Sequence, residues 1–360
     1  LSIPPRPEVQ NLKPARHGGP NWAEMKSRGL SPEDVLDFSV CTNPFPPPPG
    51  VRKTIATATI NRYPDSAATE LRQALSGKLG VPAKNIMVGS GTTELIRLIA
   101  LTYFGAGDSV LIPQPTYGEY EIACNIAGAK ALRQVARAED NYRLSTDETV
   151  SLVHQHRPKG IFLCQPNNPT GQYFDREEIA TILSAGSGSL LVLDEAYVAF
   201  VDEAWVSLDL IQRGNVIILR SMTKDYGLTG LRLGYLVASR EIVGHLRRVC
   251  PPWNVNIVAQ KAGVAALGQN DYLERCQKKV RLAKDYLTKE LQSLGFTVLP
   301  SRANFFLMRV GNAAGFRAEL LIHGIIVRDC ASFGLPEYVR IAPRTMAECR
   351  QLINAIRALK

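Results

Sequence analysis

The feature that most constrains this chain is a repeated unit: a short apolar run that ends in a polar cluster and is followed by a helical pattern. Residues 86–88 lead into Gly89-Ser90-Gly91-Thr92-Thr93-Glu94, and 109–112 into Pro113-Gln114-Pro115-Thr116-Tyr117. Residues 160–164 lead into Gln165-Pro166-Asn167-Asn168-Pro169-Thr170-Gly171, and 190–193 into Asp194-Glu195-Ala196-Tyr197. Residues 216–219 lead into Arg220-Ser221-Met222-Thr223-Lys224. Helical periodicity fills the intervals at 95–104, 120–127, 146–154 and 176–184. Strands that alternate with helices predict an α/β fold around a mostly parallel sheet. Such a sheet gathers its strand ends, and with them the polar clusters, along one edge.

The cluster at 215–235 carries the most chemistry. A lysine just past the mouth of a buried strand loses hydration, which lowers its pKa and makes it nucleophilic. Ser221, Thr223 and Arg232 around Lys224 are the side chains that hold a phosphate. Together they suggest an imine-forming lysine beside a phosphorylated aldehyde, pyridoxal phosphate. A surface lysine on a glycine-containing loop fits this stretch alone nearly as well.

The other clusters extend the picture. A glycine turn that opens a helix, as at Gly91-Thr92-Thr93, offers free N–H groups to an anion, although many such turns only cap a helix. Tyr117 at a strand end either stacks on a flat ring or packs in the core. Asn168, fixed between prolines, can aim its amide. Asp194 at the end of a fully apolar strand is costly without a cationic partner, which a protonated pyridine nitrogen would be. His17 beside Gly18 and Gly19 reads either as an anion contact or as a simple turn.

The chain has 360 residues, and that length suggests about two domains. A proline-rich arm reads as lying on the rest of the molecule, and residues 36–40 alternate like a short strand. A proline run to Pro49 then makes a rigid connector. The pattern breaks at Pro251-Pro252-Trp253, after which strands and helices alternate irregularly, as in a smaller α+β domain. The divisions are therefore 1–45 for the arm, 46–250 for the large domain and 251–360 for the small one. The first residue is not methionine, which points to processing or trimming.

The net charge of +9 comes from dispersed Lys and Arg, with no basic run interleaved with aromatics; an anionic small molecule accounts for the sign as well as nucleic acid would, no nucleic-acid partner is expected, and a merely basic surface is the larger part of the explanation. No apolar run approaches the roughly 18 residues of a membrane span. Seven scattered cysteines without a C-x-x-C, and His154 and His156 without a third ligand, suggest neither disulfides nor a metal site. A reducing cytoplasm is the expected compartment.

Taken together the motifs resemble the fold-type I pyridoxal-phosphate enzymes, the aspartate aminotransferase superfamily, from about residue 35 to the end. The resemblance also covers Gly230-Leu231-Arg232 and Tyr338-Val339-Arg340-Ile341. It implies a large domain with a mostly parallel, seven-stranded-type sheet and a smaller α+β domain. It implies that Lys224 condenses with the cofactor, Asp194 pairs with the ring nitrogen, Asn168 and Tyr197 bond the phenolic oxygen, and Tyr117 stacks on the ring. Gly91, Thr92, Thr93, Ser221, Thr223 and Arg232 would hold the cofactor phosphate, and Tyr63 would reach it from the second subunit of a homodimer.

Two branches of that superfamily compete. His17-Gly18-Gly19, Asn43-Pro44, Pro252-Trp253-Asn254-Val255-Asn256 and Val327-Arg328-Asp329-Cys330-Ala331 are similar to the threonine-phosphate decarboxylases of cobalamin synthesis. That resemblance implies substrate contacts at His17, Gly18, Asn43, Asn168, Arg328 and Arg340. The expected reaction is decarboxylation of phosphothreonine, or of phosphoserine, with the cations gripping phosphate so that the carboxylate is free to leave. Histidinol-phosphate aminotransferase is the alternative. Gly227-Leu228-Thr229 and Tyr197 depart from the decarboxylase pattern, which points either to a related substrate such as phosphoserine or to retained transaminase activity. A cofactor-bound protein without activity is the remaining reading, and it should lack Lys224 or Asp194.

Overall fold

A computed structural model of the chain describes residues 3–10, 12–269 and 271–359. The apolar runs assemble into one seven-stranded sheet. Its spatial order is Ile86–Gly89, Gly234–Ala238, Val216–Ser221, Leu190–Asp194, Gly160–Cys164, Ser109–Gln114 and Lys130–Val135. Of these seven only Gly234–Ala238 runs against the others.

The central strands are apolar up to the polar residues at their ends because both faces are covered. Leu163, Leu193 and Ile218 point into one core, with Ile179 and Ile182 of the helix Arg176–Ala185. The alternate residues Phe162, Val192 and Ile217 point into a second core, with Leu95 and Ile99 of the helix Thr92–Tyr103. Each such fully buried side chain contributes about 1.5–3 kcal/mol.

Beyond Trp253 the helix Ile257–Leu267 packs on Val51–Ala56 and Thr69–Leu79. The 22-residue helix Tyr272–Ser293 follows, buried along Cys276, Val280, Ala283, Leu287 and Leu291. Ala283, Leu287 and Leu291 of that stripe cover a four-stranded antiparallel sheet, Arg328–Asp329, Tyr338–Ile341, Phe306–Arg309 and Thr297–Val298, together with the helix Met346–Ala358.

The strand expected at 36–40 shortens to Leu36–Asp37, which pairs in parallel with Ile325–Ile326. It stops there because the Asp37 carboxylate turns back onto the Ser39 N–H at 2.8 Å. The arm is more ordered than its prolines suggest. It contains the helix Trp22–Ser27, capped by the Asn21 side chain on the N–H groups of Ala23 and Glu24. No described helix is long and apolar enough to cross a membrane.

Candidate active site

The polar clusters meet at one edge of the large sheet, around a cavity of about 550 Å³. Strand direction explains the gathering. The parallel strands end at this edge, and the reversed strand Gly234–Ala238 begins there, with Gly234 opposite Ser221. Arg232 is thereby returned to the edge that Lys224 has just left.

Lys224, Asp194, Tyr197 and Asn168 line the cavity, and all but Lys224 are buried. Burial lowers the Lys224 pKa, the cations Arg340 and Arg232 acting in the same direction. The Nζ sits 6.0 Å from the centre of the Tyr197 ring. Burial lifts the Asp194 carboxyl to about 6, against the hydrogen bonds it receives. Tyr120 donates its hydroxyl to Oδ2 at 2.8 Å, and the Ala196 N–H donates to Oδ1 at 3.0 Å.

Thr92, Thr93, Ser221, Thr223 and Arg232 line the same cavity. The helix Thr92–Tyr103 starts three residues earlier than its apolar period indicates, at Gly91, whose lack of a side chain leaves the first N–H groups uncapped. Gly91 has φ +78°, and a methyl built on it would lie 2.6 Å from Arg232 Nη2. The turn is therefore a cradle that a larger residue would fill. The Thr93 hydroxyl meets Tyr117 Oη at 3.1 Å, and the Thr223 hydroxyl is tied to the Leu233 backbone at 3.1 Å.

The expected substrate residues come from the arm and the small sheet. His17, Gly18, Arg328 and Arg340 line the cavity. A Cβ at Gly18 would fall 2.6 Å from the Ser39 carbonyl, so only glycine lets the arm lie this close. Arg328 spends its guanidinium on the arm, donating to the carbonyls of Arg16 at 2.7 Å and His17 at 3.1 Å. Arg340 is buried, donating to Asn168 Oδ1 and to the Ser39 carbonyl, while its Nε has no partner among the described residues.

Gly91 lies just behind Thr92 in the turn, and two further expected residues stand apart from this cavity. Asn43 donates its amide to the Asp225 carbonyl at 2.9 Å, and its own N–H to the Lys224 carbonyl at 2.9 Å. It braces the lysine's backbone. Tyr63 is exposed and stacks on Trp253, with ring centres 4.3 Å apart.

Sequence reasoning missed Tyr120, Glu119 and Arg16. Tyr120 reads only as the first residue of an amphipathic helix, and Glu119 as an acid favoured at a helix start. Two aromatics separated by two residues after a strand end were the available signal.

A cavity-lining lysine of lowered pKa, a buried carboxylate held by two donors and an uncapped helix start beside an arginine fit pyridoxal phosphate. The fold and this site define a fold-type I pyridoxal-phosphate enzyme. A family model described as "Aminotransferase class I and II" matches residues 33–356. A histidinol-phosphate aminotransferase of Moorella thermoacetica is 35% identical, covering 98% of this chain and 92% of that protein. The structure of histidinol-phosphate aminotransferase from Sinorhizobium meliloti in complex with pyridoxal-5'-phosphate superposes with a TM-score of 0.87 at 25% identity, over 99% and 98% of the two chains. L-threonine-O-3-phosphate decarboxylase from Porphyromonas gingivalis superposes at 0.80 with 28% identity, over 90% and 99%. The chain belongs to the class I and II aminotransferase family, and its cofactor is pyridoxal phosphate.

The expectation of a lyase, a phosphothreonine decarboxylase of cobalamin biosynthesis, is overturned. Relatives of 32–35% identity over nearly the whole chain are histidinol-phosphate aminotransferases. The physical reason lies in what the misleading motifs do. Asn43 braces Lys224, Arg328 holds the arm, and Arg340 links Asn168 to Ser39. None of these contacts selects which bond at a substrate carbon breaks. Tyr197 and Gly227-Leu228-Thr229, the departures from the decarboxylase pattern, were the more informative residues.

Proposed function

We propose that the protein is an aminotransferase that takes the amino group of histidinol phosphate, or of a closely similar phosphorylated amine, and passes it to a 2-oxo acid. The observation that carries this reading is a second cluster of basic side chains. Arg16, His17, Arg328 and Arg340 line the cavity from the arm and the small sheet, apart from the turns that would hold the cofactor phosphate. Such a cluster suits a phosphate on the substrate, and afterwards the distal carboxylate of a dicarboxylic amino-group acceptor. The names of the relatives support the same substrate.

Bound pyridoxal phosphate supplies an aldehyde carbon conjugated to an electron-withdrawing ring. Asp194 would hold the ring nitrogen, Asn168 and Tyr197 the phenolic oxygen, and Tyr117 the ring face. Gly91, Thr92, Thr93, Ser221, Thr223 and Arg232 would hold the phosphate. Lys224, whose lowered pKa enlarges its neutral fraction, takes the proton from the substrate Cα at its Nζ and returns it. A homodimer in which Tyr63 reaches the partner's cofactor phosphate completes the reading, as does a reducing compartment suited to its seven free thiols.

Incubation with histidinol phosphate and 2-oxoglutarate tests it. Glutamate forms without release of CO₂, and Lys224→Ala abolishes the reaction. CO₂ release without an added oxo acid, or no glutamate, would overturn the reading.

A further inference from the structure

Glu119 is a buried charged residue directly behind the cavity wall, between Gly118 and Tyr120 that line it, and cofactor binding does not explain it. It opens the helix Glu119–Ala127 directly after Tyr117 and Gly118 and is only 5% exposed. A carboxylate at that depth is costly unless cations reach it. Arg97, from the helix that starts at the phosphate turn, places Nη2 3.0 Å from Oε2. His17, from the arm, places Nε2 3.1 Å from Oε1.

The His17 side chain remains half exposed and lines the cavity, its ring centre 5.9 Å from that of Tyr117. Among the described residues its Nδ1 makes no hydrogen bond. The His17 backbone is gripped separately, through its carbonyl, by Arg328. The arm is thus docked by several contacts, whereas the direction of the imidazole depends on Glu119.

We propose that Glu119 is a positioning residue for substrate recognition, which holds His17 at the cavity so that the free edge of its ring meets the anionic group of the substrate. The carboxylate turns the ring by holding Nε2, which leaves the other edge aimed at the cavity for a hydrogen bond to phosphate. This rests on the reading of a phosphorylated amine as the substrate.

The test compares Glu119→Gln, His17→Ala and the double variant as holoenzymes. Glu119→Gln and His17→Ala each raise KM for histidinol phosphate about tenfold, with kcat changed less than about twofold. The double variant loses no more than His17→Ala alone, because one residue acts through the other. Calorimetric titration with inorganic phosphate gives a readout independent of turnover, and its Kd weakens by the same factor in all three proteins. Coupled weakening of phosphate binding without turnover of histidinol phosphate would uphold the role of Glu119 while the substrate reading fails. An unchanged KM and phosphate Kd in Glu119→Gln, or losses that add in the double variant, would overturn the proposal. Should Glu119→Gln fail to fold, an unchanged phosphate Kd in His17→Ala, a change confined to the arm, overturns it equally.

Discussion

Tyr120 donates its phenolic hydrogen to Asp194 Oδ2 across 2.8 Å, in a cavity wall where both side chains are buried. Burial alone pushes the Asp194 carboxyl up, and this bond holds it down to about 6. Cofactor affinity should therefore fall as pH drops through that value, because only the carboxylate pairs with a protonated ring nitrogen. In Tyr120→Phe the midpoint moves to higher pH, and affinity near neutrality weakens about 3–10-fold. Absorbance titration of the apoprotein with cofactor across pH checks this, and an unmoved midpoint contradicts it.

Asp225 faces away from the cavity, with one carboxylate oxygen unpartnered among the described residues. Burial raises its carboxyl from 3.8 to about 8. The folded protein then binds a proton that the unfolded chain has already lost. The contribution of this group to stability is fullest below about pH 4 and is lost as pH rises towards about 8, with a slope of at most ~1.4 kcal/mol per pH unit. Asp225→Asn removes that dependence. Its melting temperature should gain on the wild type progressively across this window, and a constant difference would refute the assignment.

Gly91→Ala places a methyl group against Arg232 in a left-handed backbone. The strain is about 1–3 kcal/mol, and it falls on the phosphate cradle. Cofactor dissociation should become at least about tenfold easier while the apoprotein melts within a few degrees of the wild type. Equal affinity in the two proteins would remove the turn from the phosphate site.

Tyr63 is far more exposed than an aromatic in the cavity, and its ring is held on Trp253. If it serves a partner's site, mixing inactive Tyr63→Ala with inactive Lys224→Ala restores activity. Half the dimers are hybrids and half of their sites intact, so recovery approaches roughly a quarter. No recovery after subunit exchange would mean that Tyr63 does not act across an interface.

Much of this architecture was written in the apolar runs. Leu191, Val192 and Leu193 announce a strand covered on both faces, and the acid that follows announces a site. Periodicity fails where a residue's partner is remote in sequence. Nothing in the helical pattern around Tyr120 says that its hydroxyl finds Asp194, 74 positions away. Nor does the pattern show that Glu119 is shared by Arg97 and His17. The choice between branches was misread for a related reason. Both branches need cations for an anion, so the presence of arginines describes the ligand's charge and leaves the severed bond undetermined.

The single reversed strand of the large sheet also binds two tasks to one short piece of chain. Lys224 leaves the edge, Arg232 re-enters it, and Gly234 pairs with both Ser221 and Gly89. The covalent tether and the phosphate clamp are thus two ends of one loop, anchored in neighbouring strands. An insertion within that loop would pull the two grips out of step and loosen the vitamin at both, while the sheet beneath stayed whole.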